Sequence, residues 1–187
     1  MATLFVDKID PQSGTSLEIG TSGDTISVPS GATINLSNAT QTGVGGVNAP
    51  SFKAHRNSNF SADNETTTII IFDDEEWDTN SAYDISNGRF TCPSGEAGKY
   101  VFYASARNAT GNSTTRFVIA IRKNGTGIAQ TNNNNGNEDS TLASAATTLA
   151  VGDYVDATIY QNTGATRTIF GDDPGKTVFF GYKLIGV

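Results

Sequence analysis

Few residues in this chain have the types and spacing that chemistry requires. A hydrolytic triad needs a nucleophile beside a base. The chain has one histidine, His55, set among Lys53 and Arg56, and one cysteine, Cys92, followed by Pro93. No strand-to-helix elbow around a serine or cysteine accompanies them, so His55 reads as a satisfied or exposed surface histidine and Cys92 as a buried apolar thiol. The run Asp73-Asp74-Glu75-Glu76-Trp77-Asp78 sets five carboxylates in six residues. Carboxylate oxygens are what Ca2+ takes, which makes Asp73, Asp74, Glu75, Glu76 and Asp78 the metal candidates, although the spacing is not that of an EF-hand. A solvated acidic loop is the competing reading. Trp77 and Tyr83 are candidates for a sugar-stacking platform on that loop, with core or interface packing the alternative for Trp77. No carboxylate pair is singled out for glycoside hydrolysis, whose signature is a spatial separation. The expectation is no catalytic turnover and no cofactor, Ca2+ excepted.

The elements that must carry these residues follow from composition. The chain holds 25 Thr, 17 Asn, 16 Ser and 20 Gly, which is 78 of its 187 residues, and only 17% is charged. With ten Phe and six Tyr, this favours short strands joined by turns over helices, which want Ala, Leu, Glu and Lys. The expected class is all-β. Twelve Lys and Arg against 19 Asp and Glu give a net charge of −7, which argues against nucleic acid as a partner. Apolar runs such as Phe117 to Ile121 fall far short of the roughly 20 residues of a bilayer crossing, so no membrane insertion is expected. The start Met1-Ala2-Thr3-Leu4-Phe5-Val6-Asp7 lacks the basic and long apolar stretches of a signal peptide, which points to a protein made in a cytoplasm.

Residues 1–42 differ from the rest, with Phe5 among the first fifty as the only aromatic. They contain a short repeat in which Leu17 and Ile19, then Ile26 and Val28, then Ile34 and Leu36 precede Ser, Thr and Gly-containing turns. Each unit reads as a three-residue strand with two apolar side chains on one face. Three such units cannot bury that face within one chain, so identical segments from several chains, wound about a common axis, are expected to form a β-rich stem with these six residues as its seam. A disordered polar tail is the alternative. Residues 43–50, with Gly43, Gly45 and Gly46, read as a linker.

From residue 51 to 187, strand-like runs are predicted at 67–72, 88–91, 99–106, 115–123, 127–131, 154–161, 166–170 and 177–185, with turns such as Asn87-Gly88 and Asn124-Gly125. Ser140–Ala150 is strand or loop, its Thr147-Thr148 pair disfavouring a helix. Asn132–Asn135 reads as an exposed loop. Eight or more short strands make a sandwich or jelly roll.

Several strings in this region stand in a specific order. Tyr83-Asp84, Gly88-Arg89-Phe90-Thr91-Cys92-Pro93, Gly98-Lys99-Tyr100-Val101-Phe102, Lys123-Asn124-Gly125, Gly152-Asp153 and Phe180-Gly181-Tyr182 follow one another. The set resembles the globular head of complement component 1q and the tumour-necrosis-factor-like jelly rolls. That resemblance implies a trimeric jelly roll in which Tyr100, Phe102, Phe179, Phe180 and Tyr182 serve the protomer core or the trimer contact. No collagen repeat precedes the head. Instead, Val6-Asp7-Lys8-Ile9-Asp10-Pro11 and Gly23-Asp24-Thr25-Ile26-Ser27-Val28-Pro29 resemble N-terminal portions of tail-fibre and head-fibre proteins of marine and cyanobacterial phages.

The resemblance therefore implies a structural protein of a phage virion. It would be a homotrimeric surface fibre or capsid decoration protein, anchored through the stem to other virion proteins of capsid or tail, with a head that contacts host-surface glycans or proteins. A lectin-like soluble binding module and a glycan depolymerase are the rival readings.

Overall fold

The computed structural model describes residues 9, 11, 13–35, 48–108, 116–133, 140–171 and 175–185. The chain divides into two compact units, Met1–Val44 and Gly45–Val187. No helix occurs among the described residues.

In the first unit the turns fall where the glycines are. Asp24 N–H donates to the Thr21 carbonyl at 3.0 Å, and Ala32 N–H to the Pro29 carbonyl at 3.1 Å. Gly23 and Gly31 take positive φ within these turns. The Asp24 carboxylate accepts from Thr21 N–H at 2.7 Å and from its hydroxyl at 3.0 Å, which holds that carboxyl below its ordinary range. In the single chain, residues 13–35 make no ladder and are all exposed. Two-residue apolar faces find no partner strand in a single chain, so nothing offsets the entropy of pairing. Leu36 lies outside the described residues.

The second unit is a two-sheet sandwich. Its strands are β1 (Ser51–His55), β2 (Phe60–Ala62), β3 (Thr68–Ile69), β4 (Asp74–Asp78), β5 (Tyr83–Asp84), β6 (Arg89–Thr91), β7 (Gly98–Asn108), β8 (Phe117–Lys123), β9 (Thr126–Asn133), β10 (Ser140–Leu149), β11 (Tyr154–Gln161), β12 (Arg167–Phe170) and β13 (Val178–Lys183). One sheet runs β2-β12-β7-β13-β1-β4 with β10 also on β7; the other runs β5-β6-β11-β8-β9 with β3 on β11. Every strand pair in both sheets is antiparallel, and apart from the β5–β6 and β8–β9 hairpins the neighbours are non-sequential, which makes a jelly roll.

Alternation along β7 places Tyr100, Phe102, Ala104 and Ala106 inside. They meet Phe52, Phe72, Tyr83, Phe90 and Phe179, all buried. Phe52 lies 4.8 Å from Tyr83, 5.3 Å from Phe90 and 5.0 Å from Phe179 between ring centres, so one aromatic cluster ties the sheets together. Gly181 faces Phe102 across the β7–β13 ladder, and a Cβ there would enter the Phe102 ring. The Asn124-Gly125 turn has φ of 49° and 80°, the double left-handed geometry that closes a tight hairpin.

Three expectations are corrected. The acidic run is a strand, β4, paired with β1 at the edge of its sheet; charges suit an edge, where they block pairing with other chains. Asn132 and Asn133 end β9 rather than sitting in a loop, while 134 and 135 lie outside the described residues. Pro50, read as linker, accepts a hydrogen bond from Lys183 N–H at 3.1 Å. Ser140–Leu149 is a strand in register with β7 from Ser140↔Arg107 to Leu149↔Gly98.

Candidate functional site

The central strands of the larger sheet are apolar on both faces. Opposite the core side of β7 stand Val101 and Tyr103, and opposite the core side of β13 stand Val178, Phe180 and Tyr182. Register sets Tyr103 across from Phe180 and Val101 across from Tyr182. The Tyr103 and Phe180 rings stack at 4.7 Å with 17° between their planes. The Tyr103 hydroxyl beside Tyr182 pushes the Tyr182 phenol above its ordinary value, because ionising one disfavours charge on the other.

The surface continues on both sides. On β10, Leu142 is 55% exposed and shares this face through its pairing with Ser105. On β1, Lys53 lies across from Phe180 and from Trp77. Its ammonium sits 2.6 Å from Glu76 and 5.8 Å from the centre of the Trp77 ring. Trp77 is 46% exposed. His55 is buried rather than on the surface, with Nε2 3.7 Å from Asp74 and Nδ1 3.9 Å from Glu76; Nδ1 makes no hydrogen bond. An aromatic and aliphatic sheet face with a charged rim is the composition of an association surface.

The residues singled out from sequence separate here. Tyr100, Phe102 and Phe179 are fully buried in the protomer, whereas Phe180 and Tyr182 lie on the outer face. Tyr83 is core: its ring stacks on Phe52 and its hydroxyl donates to the Phe72 carbonyl at 3.1 Å, and burial pushes its phenol far up. It therefore forms no platform with Trp77. Tyr103 and Val101 were missed, although a strand apolar at every position, as Tyr100-Val101-Phe102-Tyr103 is, signals burial on both faces.

The five candidate carboxylates each have a different task. Asp73 takes Arg56 at 2.9 Å and Asn57 N–H at 2.8 Å, and Asp78 accepts from Ala82 and Tyr83 N–H. Asp74 faces His55, Glu76 binds Lys53, and Glu75, across from Ala54, is exposed at the sheet edge, its pKa raised first by partial burial and then by Asp78 and Asp84. Strand alternation splits them, and among the described residues no group of three or more His, Cys, Asp or Glu is placed to hold a metal. Cys92 is a buried thiol 3.7 Å from the Tyr100 hydroxyl, and burial raises its pKa, which disfavours the thiolate. Of the stem residues, Leu17, Ile19, Ile26, Val28 and Ile34 are all exposed, Ile26 at 63%.

The head is a jelly roll whose larger sheet carries a second, outward face of apolar side chains. The C1q domain family model matches residues 51–184, and the chain belongs to that family. Its fold is similar to that of the globular domain of zebrafish complement 1qA, 24% identical with a TM-score of 0.52 over 72% of this chain and 97% of that one. Murine APRIL is 11% identical at a TM-score of 0.53, over 72% and 98% of the two chains. The PRD1 vertex protein P5 is 10% identical at a TM-score of 0.57, over 74% and 99%. No curated protein sequence matches.

Proposed function

We propose that this protein is a homotrimeric structural component of a phage virion, a surface fibre or decoration protein held by residues 1–42 and displaying its C1q-type head to host-surface glycans or proteins. The observation that carries this reading is that both units leave apolar surface for other chains to cover. In the head it is the Val101, Tyr103, Phe180 and Tyr182 face; in the first unit it is Leu17, Ile19, Ile26, Val28 and Ile34. A three-fold arrangement covers the head face with two further copies and lets the N-terminal segments of three chains share one seam. The head fold shared with a vertex protein of PRD1 supports a place at a particle surface, and the phage-fibre resemblance of the N-terminal strings supports attachment through them.

Light scattering on the full chain is expected to give three times the chain mass at micromolar concentration, and a stable monomer would refute the trimer. Mass spectrometry of purified particles tests the virion assignment: the protein is expected at a fixed ratio to the major capsid or tail protein, and its absence from particles would overturn the role.

A further inference from the structure

We propose that the outer face of the β5-β6-β11-β8-β9 sheet carries a second binding site, a groove that takes a carboxylate-bearing sugar. The inference deepens the display role above and rests on it for where such a sugar is met.

Three cross-strand pairs stand in a row on this face: Val118 with Tyr160, Ala120 with Thr158, and Arg122 with Asp156. The middle pair is small and the outer pairs are large, so the surface dips between them. Gln130 lies across from Ala120, and Gly127, across from Arg122, adds no side chain. The resulting open groove measures about 410 Å³, within the roughly 300–1,000 Å³ of small-molecule sites. From Val118 to Arg122 is about 13 Å of strand.

The charge of the groove is opposite to that of the chain. Its lining contains Arg116 and Arg122 and no acidic residue. Arg116 is exposed, its guanidinium 5.3 Å from the centre of the Tyr160 ring, and no described carboxylate pairs with it. Arg122 uses Nε and Nη2 on Asp156, at 2.7 and 2.9 Å, which leaves its Nη1 clear of that carboxylate. Asp156 is completely buried and also meets Arg89 Nε at 3.5 Å. One buried anion thus lies under two guanidinium groups, and with Arg116 the face carries three cations against two anions, Asp156 and the Asp84 across from Arg89, in a chain of net charge −7.

That arrangement matches one ligand chemistry. The Tyr160 ring suits the C–H face of a pyranose, a guanidinium at either end suits a carboxylate, and Gln130 and Thr158 offer amide and hydroxyl groups to sugar hydroxyls. A purely apolar ligand would leave the arginines without an anion, and a nucleic acid requires more phosphate contacts than two arginines make. The groove lies on the sheet opposite the Tyr103–Phe180 face, so the proposed trimer leaves it open.

The test is amide NMR on the full chain, titrated separately with a glucuronate–N-acetylglucosamine tetrasaccharide, tetragalacturonate, neutral tetra-N-acetylchitotetraose, and sodium sulfate. At least one acidic tetrasaccharide is expected to shift amides around Ala120 and Thr158. Arg116→Gln and Tyr160→Ala should each weaken that binding tenfold or more, and Tyr160→Phe should keep it. Binding of neither acidic probe, equal binding of the neutral one, shifts confined to other strands, or sulfate binding as tight and indifferent to Tyr160→Ala would each overturn the inference. Groove binding by particles that adsorb to hosts equally well without this protein would leave the groove standing and defeat the display role. Adsorption that depends on the protein, with no acidic probe bound, would do the reverse.

Discussion

Tyr103 and Phe180 stack on the outside of the sheet at 4.7 Å, while Phe102 and Phe179, their immediate chain neighbours, are fully buried on the inside. One pair of adjacent strands therefore serves two faces, the protomer's own core and the face that neighbouring copies cover in the proposed trimer.

Phe180→Glu places a charge on that second face and leaves the protomer's own core untouched. We expect dissociation to monomers by light scattering, with near-ultraviolet circular dichroism preserved and a protomer cost of about 1 kcal/mol or less, since the residue is only half-buried and loses one ring stack. A variant that remained trimeric would place the contact elsewhere.

Gly181→Ala acts on the protomer's own core. Its Cβ would enter the Phe102 ring, and overpacking of this kind costs about 1–3 kcal/mol. Urea unfolding should show the loss, and unchanged stability would mean that the Phe102 ring yields freely.

The buried Asp156 carboxylate depends on Arg122, with Arg89 close by. Asp156→Ala should destabilise the head by about 1–3 kcal/mol, because it takes the buried anion away from two part-exposed guanidinium groups. The double variant Asp156→Leu with Arg122→Leu should recover much of that loss. Additive losses in the double-mutant cycle would show that the two residues are not coupled.

Asp153 ties the Asn124-Gly125 hairpin to the β10–β11 connection. Lys123, Asn124 and the Ala150 N–H lower its pKa to about 2. A folded-state pKa below the unfolded one adds stability that is present above pH ~4 and lost as pH falls toward 2. The stability gap between the wild type and Asp153→Asn should therefore narrow between pH 5 and pH 2. A gap that is constant across that range would contradict the linkage.

A chain starting at Ser51 should stay folded and soluble but fail to join particles, and Ile26→Asp with Ile34→Asp should weaken attachment by charging a shared apolar seam. If the shortened chain decorated depleted particles as fully as the whole one, residues 1–42 would not be the anchor.

The all-β class was legible before any coordinates, because Thr, Asn and Gly richness and period-two runs such as Lys99–Ala106 are local properties. So was the Asn124-Gly125 hairpin, where two residues set the turn. The ordered strings from Tyr83 to Tyr182 carried the family. What remained hidden was sidedness. Tyr83 and Trp77 both read as loop aromatics, yet the pairing of β4 with β1 leaves Trp77 outside, while Tyr83, on β5, stacks against Phe52. The acidic run read as a loop because its charges hide a strand whose ladder partner, β1, lies some twenty residues earlier. The Arg122–Asp156 pair, 34 residues apart, and the dip beside Ala120 and Thr158 exist only once β8 and β11 are in register. Which face a strand buries, and which distant side chain stands across from it, depends on the partner strand, and that choice is made by the packing of the whole sandwich.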